Sequence, residues 1–186
     1  MPDSKKILFS HSYFYRLDPK QWKAQQPYPP YNTILAASMM EKEGFEVALF
    51  DSNLKRSPLE IEPYLQKEQP TYLVIYDDSF NYLSKMCLTA MRYACFEMIQ
   101  LGKQYGCVVI VSSSDATDHF DKYLDAGADF VLLGEAELTL KELIKSSEQK
   151  LSFETIDGMV FRVNDETVKT KKRTILTSLD LLPMPA

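Results

Sequence analysis

Only six glycines occur among the 186 residues. A chain so poor in glycine has little means of building a glycine-rich phosphate cradle. Neither GxGxxG nor GxxxxGK(S/T) is present, which speaks against the usual modes of nucleotide binding. The strained GxSxG turn that exposes a nucleophilic serine is absent as well. Cysteine is scarce: Cys87, Cys95 and Cys107 are an odd number without metal-ligand spacing. Cys87 and Cys95 stand about 12 Å apart along a helix, too far to share a metal by local geometry. All three read as buried thiols in a reducing cytoplasm. A basic excess is missing too, with 21 basic against 26 acidic residues and a net charge of −5. The one dense basic stretch, Lys169, Lys171, Lys172 and Arg173, reads as a solvated edge or linker, so no nucleic-acid partner is expected. Apolar runs are short. The longest aliphatic one, Cys107–Val111, falls far below the roughly 20 residues of a membrane helix. The N-terminus has no long apolar stretch after its lysines, so no signal peptide and no membrane are expected.

What is present is an ordinary globular composition, 45% hydrophobic and 12% aromatic, arranged in alternating strands and helices. Ile7–Phe9, Phe45–Phe50, Thr71–Tyr76, Cys107–Val111 and Phe130–Leu133 read as strands. Between and after them lie helical stretches at Ile34–Glu43, from Pro58 to about Lys67, at Lys85–Tyr105, from a cap at Asp118 to Ala126, and at Ala136–Lys145. Cys87, Met91, Cys95 and Met98 recur at helical spacing and mark a core face. Five apolar strands alternating with helices imply a parallel sheet covered on both sides. With right-handed crossovers, that is an α/β three-layer flavodoxin-like, or Rossmann-like, sandwich. After residue 150 the pattern changes. Met159–Val163 and Thr167–Thr170 flank the turn Asn164-Asp165, and this C-terminal β-hairpin reads as an appendage. The expected division is therefore 1–150 for the domain and 151–186 for hairpin and linker.

In an open parallel sheet, ligands bind beyond the carboxyl ends of the strands, so the loops there carry the candidates. The first, Ser10 to Tyr31, is long and dense in aromatics (Tyr13, Phe14, Tyr15, Trp22, Tyr28, Tyr31), which argues against disorder. It reads either as a lid over the sheet edge or as a ligand wall. His11 stands at its start. The third-strand loop brings Asp77, Asp78 and Ser79, a carboxylate pair suited to Mg²⁺, to hydrogen bonding or to helix capping. The fourth loop, with Ser113, Ser114, Asp115 and Thr117, is small and hydroxyl-rich. It suits a polar ligand edge and a helix cap alike. In the fifth, Gly134 allows close backbone approach and Glu135 follows it.

The order of these segments resembles the N-terminal cobalamin-binding domain of radical SAM enzymes, particularly the group of the anaerobic magnesium-protoporphyrin monomethyl ester cyclase. The resemblance rests on Tyr28-Pro29-Pro30-Tyr31 before Ile34-Leu35-Ala36-Ala37, and on Glu43-Gly44-Phe45-Glu46-Val47 with Phe50-Asp51. It continues through Gly127-Ala128-Asp129-Phe130-Val131 into Gly134-Glu135-Ala136-Glu137-Leu138-Thr139, then Asp157-Gly158, and ends with Leu179-Asp180-Leu181-Leu182-Pro183-Met184-Pro185-Ala186. It implies cobalamin as cofactor. The nucleotide tail would thread between the sheet and the loops after the third, fourth and fifth strands, with the corrin over the loop ends. His11, Tyr31, Asp77, Asp78, Ser79, Ser113, Ser114, Asp115, Thr117, Gly134 and Glu135 are then the expected cofactor-binding residues. Two departures stand out. Ser112-Ser113-Ser114-Asp115-Ala116-Thr117 replaces the family's Gly-Gly-Pro loop, and no DxHxxG motif supplies a histidine to cobalt.

The resemblance further implies a downstream radical SAM domain as partner, bearing a 4Fe-4S cluster and S-adenosylmethionine, with Leu182 to Ala186 as the linker toward it. No CxxxCxxC motif occurs in this chain, so residues 1–186 are expected to be catalytically silent by themselves. The parent reaction would be methylation or cyclisation at unactivated carbon. Two alternatives accompany this reading. One is a degenerate flavodoxin-like docking domain that binds no cobalamin. The other is an Mg²⁺-dependent enzyme using Asp77, Asp78 and Asp115.

Overall fold

The structure, a computed structural model, describes residues 5–24, 26–77, 88–177 and 182–184. Cys87, Asp78, Ser79, the start of the long helix expected from Lys85, and most of the last nine residues lie outside them.

The five expected strands are present as β1 (Lys6–Ser10), β2 (Glu46–Phe50), β3 (Tyr72–Tyr76), β4 (Val108–Ser112) and β5 (Phe130–Leu132). They pair in parallel in the order β2-β1-β3-β4-β5, the doubly wound order of flavodoxin-like folds. The expected hairpin forms from β6 (Met159–Val163) and β7 (Glu166–Lys169), with Asn164 and Asp165 both at positive φ, as the preferred two-residue hairpin turn demands. It is no loose appendage. β6 pairs antiparallel with β5, so one sheet of seven strands results. The physical reason is burial: Met159, Val160 and Phe161 are covered like any central strand.

The two faces of the sheet carry separate cores. Leu8, Leu73, Ile75, Val109, Val111 and Val131 face α3 (Glu62–Glu68), α4 (Leu88–Gln104) and α6 (Phe120–Asp125). Alternate residues Ile7, Phe9, Val74, Ile110 and Leu132 face α2 (Tyr31–Lys42) and α7 (Glu137–Gln149). The strict alternation follows from the two-residue period of a strand. The helical segment after β4 differs from its expected form. Asp118 is not an N-cap. It ends a short helix, α5 (Ser114–Asp118), that is capped by the Ser113 side chain, and α6 follows after His119. The serine directly after the strand reaches the orphan amide first.

The first loop has structure of its own: a 3-10 turn at Tyr15–Leu17 and the helix Pro19–Ala24 (α1). Tyr13, Phe14 and Tyr15 are buried against the α4 face. They are core rather than lid.

One of the six glycines shows why so few suffice. Gly102 lies inside α4, and a Cβ there would stand 2.6 Å from Leu73 Cδ2 and 3.0 Å from Val109 Cγ2. The helix seats this closely on β3 and β4 only without a side chain. Gly102→Ala gains helix propensity of about 1 kcal/mol but overpacks fully buried neighbours at about 1–3 kcal/mol. The expected result is a net loss of stability, seen as a lower urea midpoint at unchanged slope.

Candidate functional site

A cavity of about 320 Å³ opens at the carboxyl ends of β3, β4 and β5. It is lined by Asn32, Tyr76, Asp77, Ser112, Ser113, Ser114, Thr117, Gly134, Glu135 and Glu137. Its place follows from topology. Three loops and the start of α2 converge where parallel strands end.

Asp77 continues the sheet by one bond, its amide donating to the Ser112 carbonyl at 2.8 Å. Its carboxylate is held from the first loop. The Ser12 amide donates to one oxygen at 2.5 Å and the Ser12 hydroxyl to the other at 2.6 Å. Burial pushes this carboxyl above its ordinary range, against the pull of the Ser12 hydrogen bonds and of His11. Tyr76 is buried beside it. Desolvation first, and then the charge of Glu137, which accepts the Tyr76 hydroxyl, push that phenol far up. Thr33 donates to the Tyr76 carbonyl at 2.6 Å and so ties the first turn of α2 to this strand end.

The serine-rich loop is largely self-satisfied. Ser113 accepts from the Ala116 amide at 2.9 Å, and Thr117 donates to the Ser113 carbonyl at 3.0 Å. These hydroxyls fold the loop back on itself and leave the cavity open. Gly134 sits at φ +68, where a Cβ would meet nothing within 4 Å. Backbone conformation, not close approach, calls for glycine there.

Of the expected residues, the structure thus brings together Asp77, Ser113, Ser114, Thr117, Gly134 and Glu135. Tyr31 opens α2 and is exposed. Asp115 turns away from the cavity into a buried network. Arg92 from α4 donates to its two oxygens at 2.7 and 2.6 Å, and the Tyr123 hydroxyl donates at 2.6 Å. Burial opposes its ionisation. The Arg92 and Tyr123 hydrogen bonds outweigh that and hold the carboxyl below its ordinary range. Asp77 and Asp115 are therefore committed to different partners. Among the described residues, no three His, Cys, Asp or Glu side chains come together to hold a metal.

His11 lies in the next loop. It is 2% exposed, with Nε2 2.9 Å from Asp51 Oδ1 and Nδ1 3.0 Å from the Ser52 hydroxyl. Asp51 is held below its ordinary range although burial opposes this, because His11 and the Asn53 amide bind the charged form. Ser, His and Asp in contact resemble an acyl-transfer triad, but Ser52 is fully buried and donates to the His11 carbonyl at 2.7 Å. No substrate carbonyl reaches its oxygen, so the three are a clasp between adjacent loops. In the sequence Asp51 marks only the end of a strand, and nothing there ties Ser52 to His11. Adjacency of β1 and β2 was the signal that joins them. Asn32, Tyr76, Ser112 and Glu137 were likewise not singled out, although each stands at a strand end or a helix start.

The two described cysteines are free and buried. Desolvation pushes Cys107 up to about 11 and Cys95 well above its ordinary value, so both thiols stay protonated and inert. Among the described residues, no helix is long and apolar enough to cross a membrane.

No protein-family model matches this chain, and no curated protein matches it. Solved structures do. The radical S-adenosylmethionine methyltransferase TsrM from Kitasatospora setae, solved with tryptophan substrate and a SAM analogue, superposes with a TM-score of 0.70 at 17% identity, over 90% of this chain and 30% of that one. The cobalamin-dependent S-adenosylmethionine radical enzyme OxsB, solved with aqua-cobalamin and S-adenosylmethionine, gives 0.67 at 15% identity, over 93% and 23%. A cobalamin-binding protein from Desulfitobacterium hafniense DCB-2 gives 0.51 at 16% identity, over 77% and 59%. At these identities the likeness is one of fold. The chain spans less than a third of the length of the two enzymes.

Proposed function

We propose that this chain is the cobalamin-binding module of a radical SAM enzyme that methylates or cyclises an unactivated carbon. The observation that carries the reading is the cavity itself, about 320 Å³ at the ends of β3 to β5, in a fold whose solved neighbours include cobalamin-dependent enzymes. Its size lies at the lower end of the roughly 300–1,000 Å³ of small-ligand sites. It suits a nucleoside-sized group and not a corrin, which would lie above the loops.

The donor set fits such a tail. Asp77, Glu135 and Glu137 accept hydrogen bonds from hydroxyl and amide groups, as do the serine and threonine oxygens. The serines that replace glycines do not close the cavity, because Ser113 spends its hydroxyl on the helix cap. No protein histidine is expected to reach cobalt. His11 is engaged by Asp51 and Ser52, and His119 is exposed at the joint before α6. When bound, cobalamin supplies the cobalt chemistry. The 4Fe-4S cluster and S-adenosylmethionine belong to a domain outside residues 1–186. The residues of this chain bind and orient: Ser12 fixes the Asp77 carboxylate, Thr33 fixes the strand end, and the α7 start places Glu137. On this reading residues 1–150 hold the cofactor, and the hairpin and tail 151–186 lead to the partner domain.

The test is retention. The purified chain is mixed with hydroxocobalamin and desalted, and the visible spectrum of the protein fraction is recorded. Corrin absorbance near one equivalent per chain is expected. A colourless protein fraction at micromolar concentration would leave the docking-domain reading in its place.

A further inference from the structure

We infer that Arg173 is a latch: it fastens the segment after β7 to the first turns of α7 and so fixes where, and in which direction, the chain leaves the sheet. The latch stands on contacts within this chain. Its use, which is to hold a partner domain in a set position relative to the cavity, rests on the proposed function.

The basic stretch that the sequence offers as a solvated edge is solvated only in part. Lys171 and Lys172 are exposed, but only 16% of the Arg173 side chain is. Its Nε donates to Thr139 Oγ1 at 2.7 Å and, more weakly, to the Asp157 carbonyl at 3.3 Å. Both terminal nitrogens donate to the Glu142 carboxylate, one of them at 3.1 Å. Thr139 is fully buried and spends its own proton on the Asp157 carbonyl at 3.0 Å, so its lone pairs are free to accept from Arg173. One guanidinium thereby joins α7, the turn before β6 and the tail. A planar fork of donors can do this, and a single ammonium cannot. Packing agrees with the bonds. Gly158 sits at φ +85, and a Cβ there would stand 3.0 Å from Thr139 Oγ1 and 3.1 Å from Arg173 Cβ. The backbone extends the junction: the Gly158 amide donates to the Lys171 carbonyl at 2.7 Å, and the Leu133 amide donates to the Gly158 carbonyl at 2.8 Å. Leu133 precedes Gly134, and Thr139 follows Glu137 in α7. Gly134 and Glu137 both line the cavity, so the tail is bonded on either side of the segment that forms that wall. An isolated surface ion pair would hold little. This one is bidentate, mostly covered, and backed by a buried hydroxyl.

The experiment is limited trypsin digestion of the full chain, with the cut after Lys171 followed by mass spectrometry. Each rate is divided by that of a peptide spanning residues 165–180 of the same variant, which removes the protease's own sequence preference. A segment held in a fold is cut only when it opens locally. Arg173→Gln is expected to speed the cut at least ~10-fold, with the urea midpoint of the whole chain nearly unchanged. Glu142→Gln, at the exposed end of the same contact, is expected to act in the same direction by a smaller factor. Arg173→Lys is expected to recover only part of the protection. Lys172→Gln removes a neighbouring exposed charge and is expected to leave the rate as it is. A cut as slow in Arg173→Gln and Glu142→Gln as in the unmodified chain overturns the inference, and so does an equal acceleration by Lys172→Gln. Retained hydroxocobalamin in a chain whose tail is cut as fast as the peptide sinks the latch and leaves the proposed function. A protected tail that Arg173→Gln releases, in a protein that stays colourless, does the reverse.

Discussion

Arg92→Met is expected to destabilise the fold by about 3–5 kcal/mol, the cost of leaving one partner of a buried ion pair uncompensated. Only 14% of the Arg92 side chain and 10% of that of Asp115 are exposed. With arginine gone, the Asp115 carboxylate keeps the Tyr123 hydroxyl as its remaining close partner. Against a typical total of about 5–15 kcal/mol, the loss is a large fraction. It should appear as a marked fall in the urea midpoint at neutral pH. Replacing the whole network by apolar groups, in Arg92→Met with Asp115→Leu and Tyr123→Phe, is expected to restore most of the stability, because no buried group is then left unpaired. A single variant as stable as the triple one would show that the network is well solvated. The pH dependence has a definite sign. The folded-state carboxyl of Asp115 lies below its ordinary value. Its contribution is therefore complete above the unfolded carboxylate value, about 3.9, and is lost as pH falls through the depressed folded value. The acid limb of the stability curve should flatten in the triple variant. It follows that Asp115→Ala would lose a bound ligand by loosening the α4–α6 packing, not by removing a contact to it.

This network also marks where sequence reasoning reaches its limit. Asp77 and Asp115 look alike in sequence, each following an apolar strand, and both invite a site. One faces the cavity and the other faces Arg92, which lies 23 residues earlier on a different element. No local pattern contains that distance. The strands were legible because Tyr72–Tyr76 and Val108–Val111 are unbroken apolar runs, which only a sheet covered on both faces buries. Right-handed crossovers narrowed the fold to a flavodoxin-like or Rossmann-like sandwich, while the order β2-β1-β3-β4-β5 was seen only in the structure. The hairpin turn was legible in Asn164-Asp165, but not its docking on β5, which depends on Met159–Phe161 meeting an edge the sequence does not display. Tyr13-Phe14-Tyr15 shows the same limit. Three consecutive aromatics have no periodicity, so their composition argued for order but not for the direction they point. The loops around the cavity were legible because parallel topology alone puts strand ends together. Lining residues such as Asn32 and Glu137 belong to helix starts, where a polar residue is also what a helix end demands.

Ser114→Trp is expected to abolish retention of hydroxocobalamin, weakening it at least ~100-fold, while changing stability by no more than about 0.5 kcal/mol, as for a surface substitution. Ser114 opens a short helix at the cavity wall and is only half-buried. An indole there projects into a space of about 320 Å³ and takes the volume a ring system would need, without displacing core. Gly134→Ala is the matched control with the opposite signature. Its added methyl meets nothing within 4 Å, but φ +68 is retained only at a cost, about 1–2 kcal/mol for a residue with a Cβ. It should lower the unfolding midpoint and leave the protein coloured. If the two variants exchange outcomes, Gly134 is where the ligand presses on the backbone and Ser114 is mere surface, and the cofactor lies across the rim rather than in the cavity. If both remain coloured, corrin uptake does not use this cavity at all. The pair thus separates space from conformation at one wall of the site, a distinction that the scarcity of glycine in the sequence raised and that retention and unfolding measured together decide.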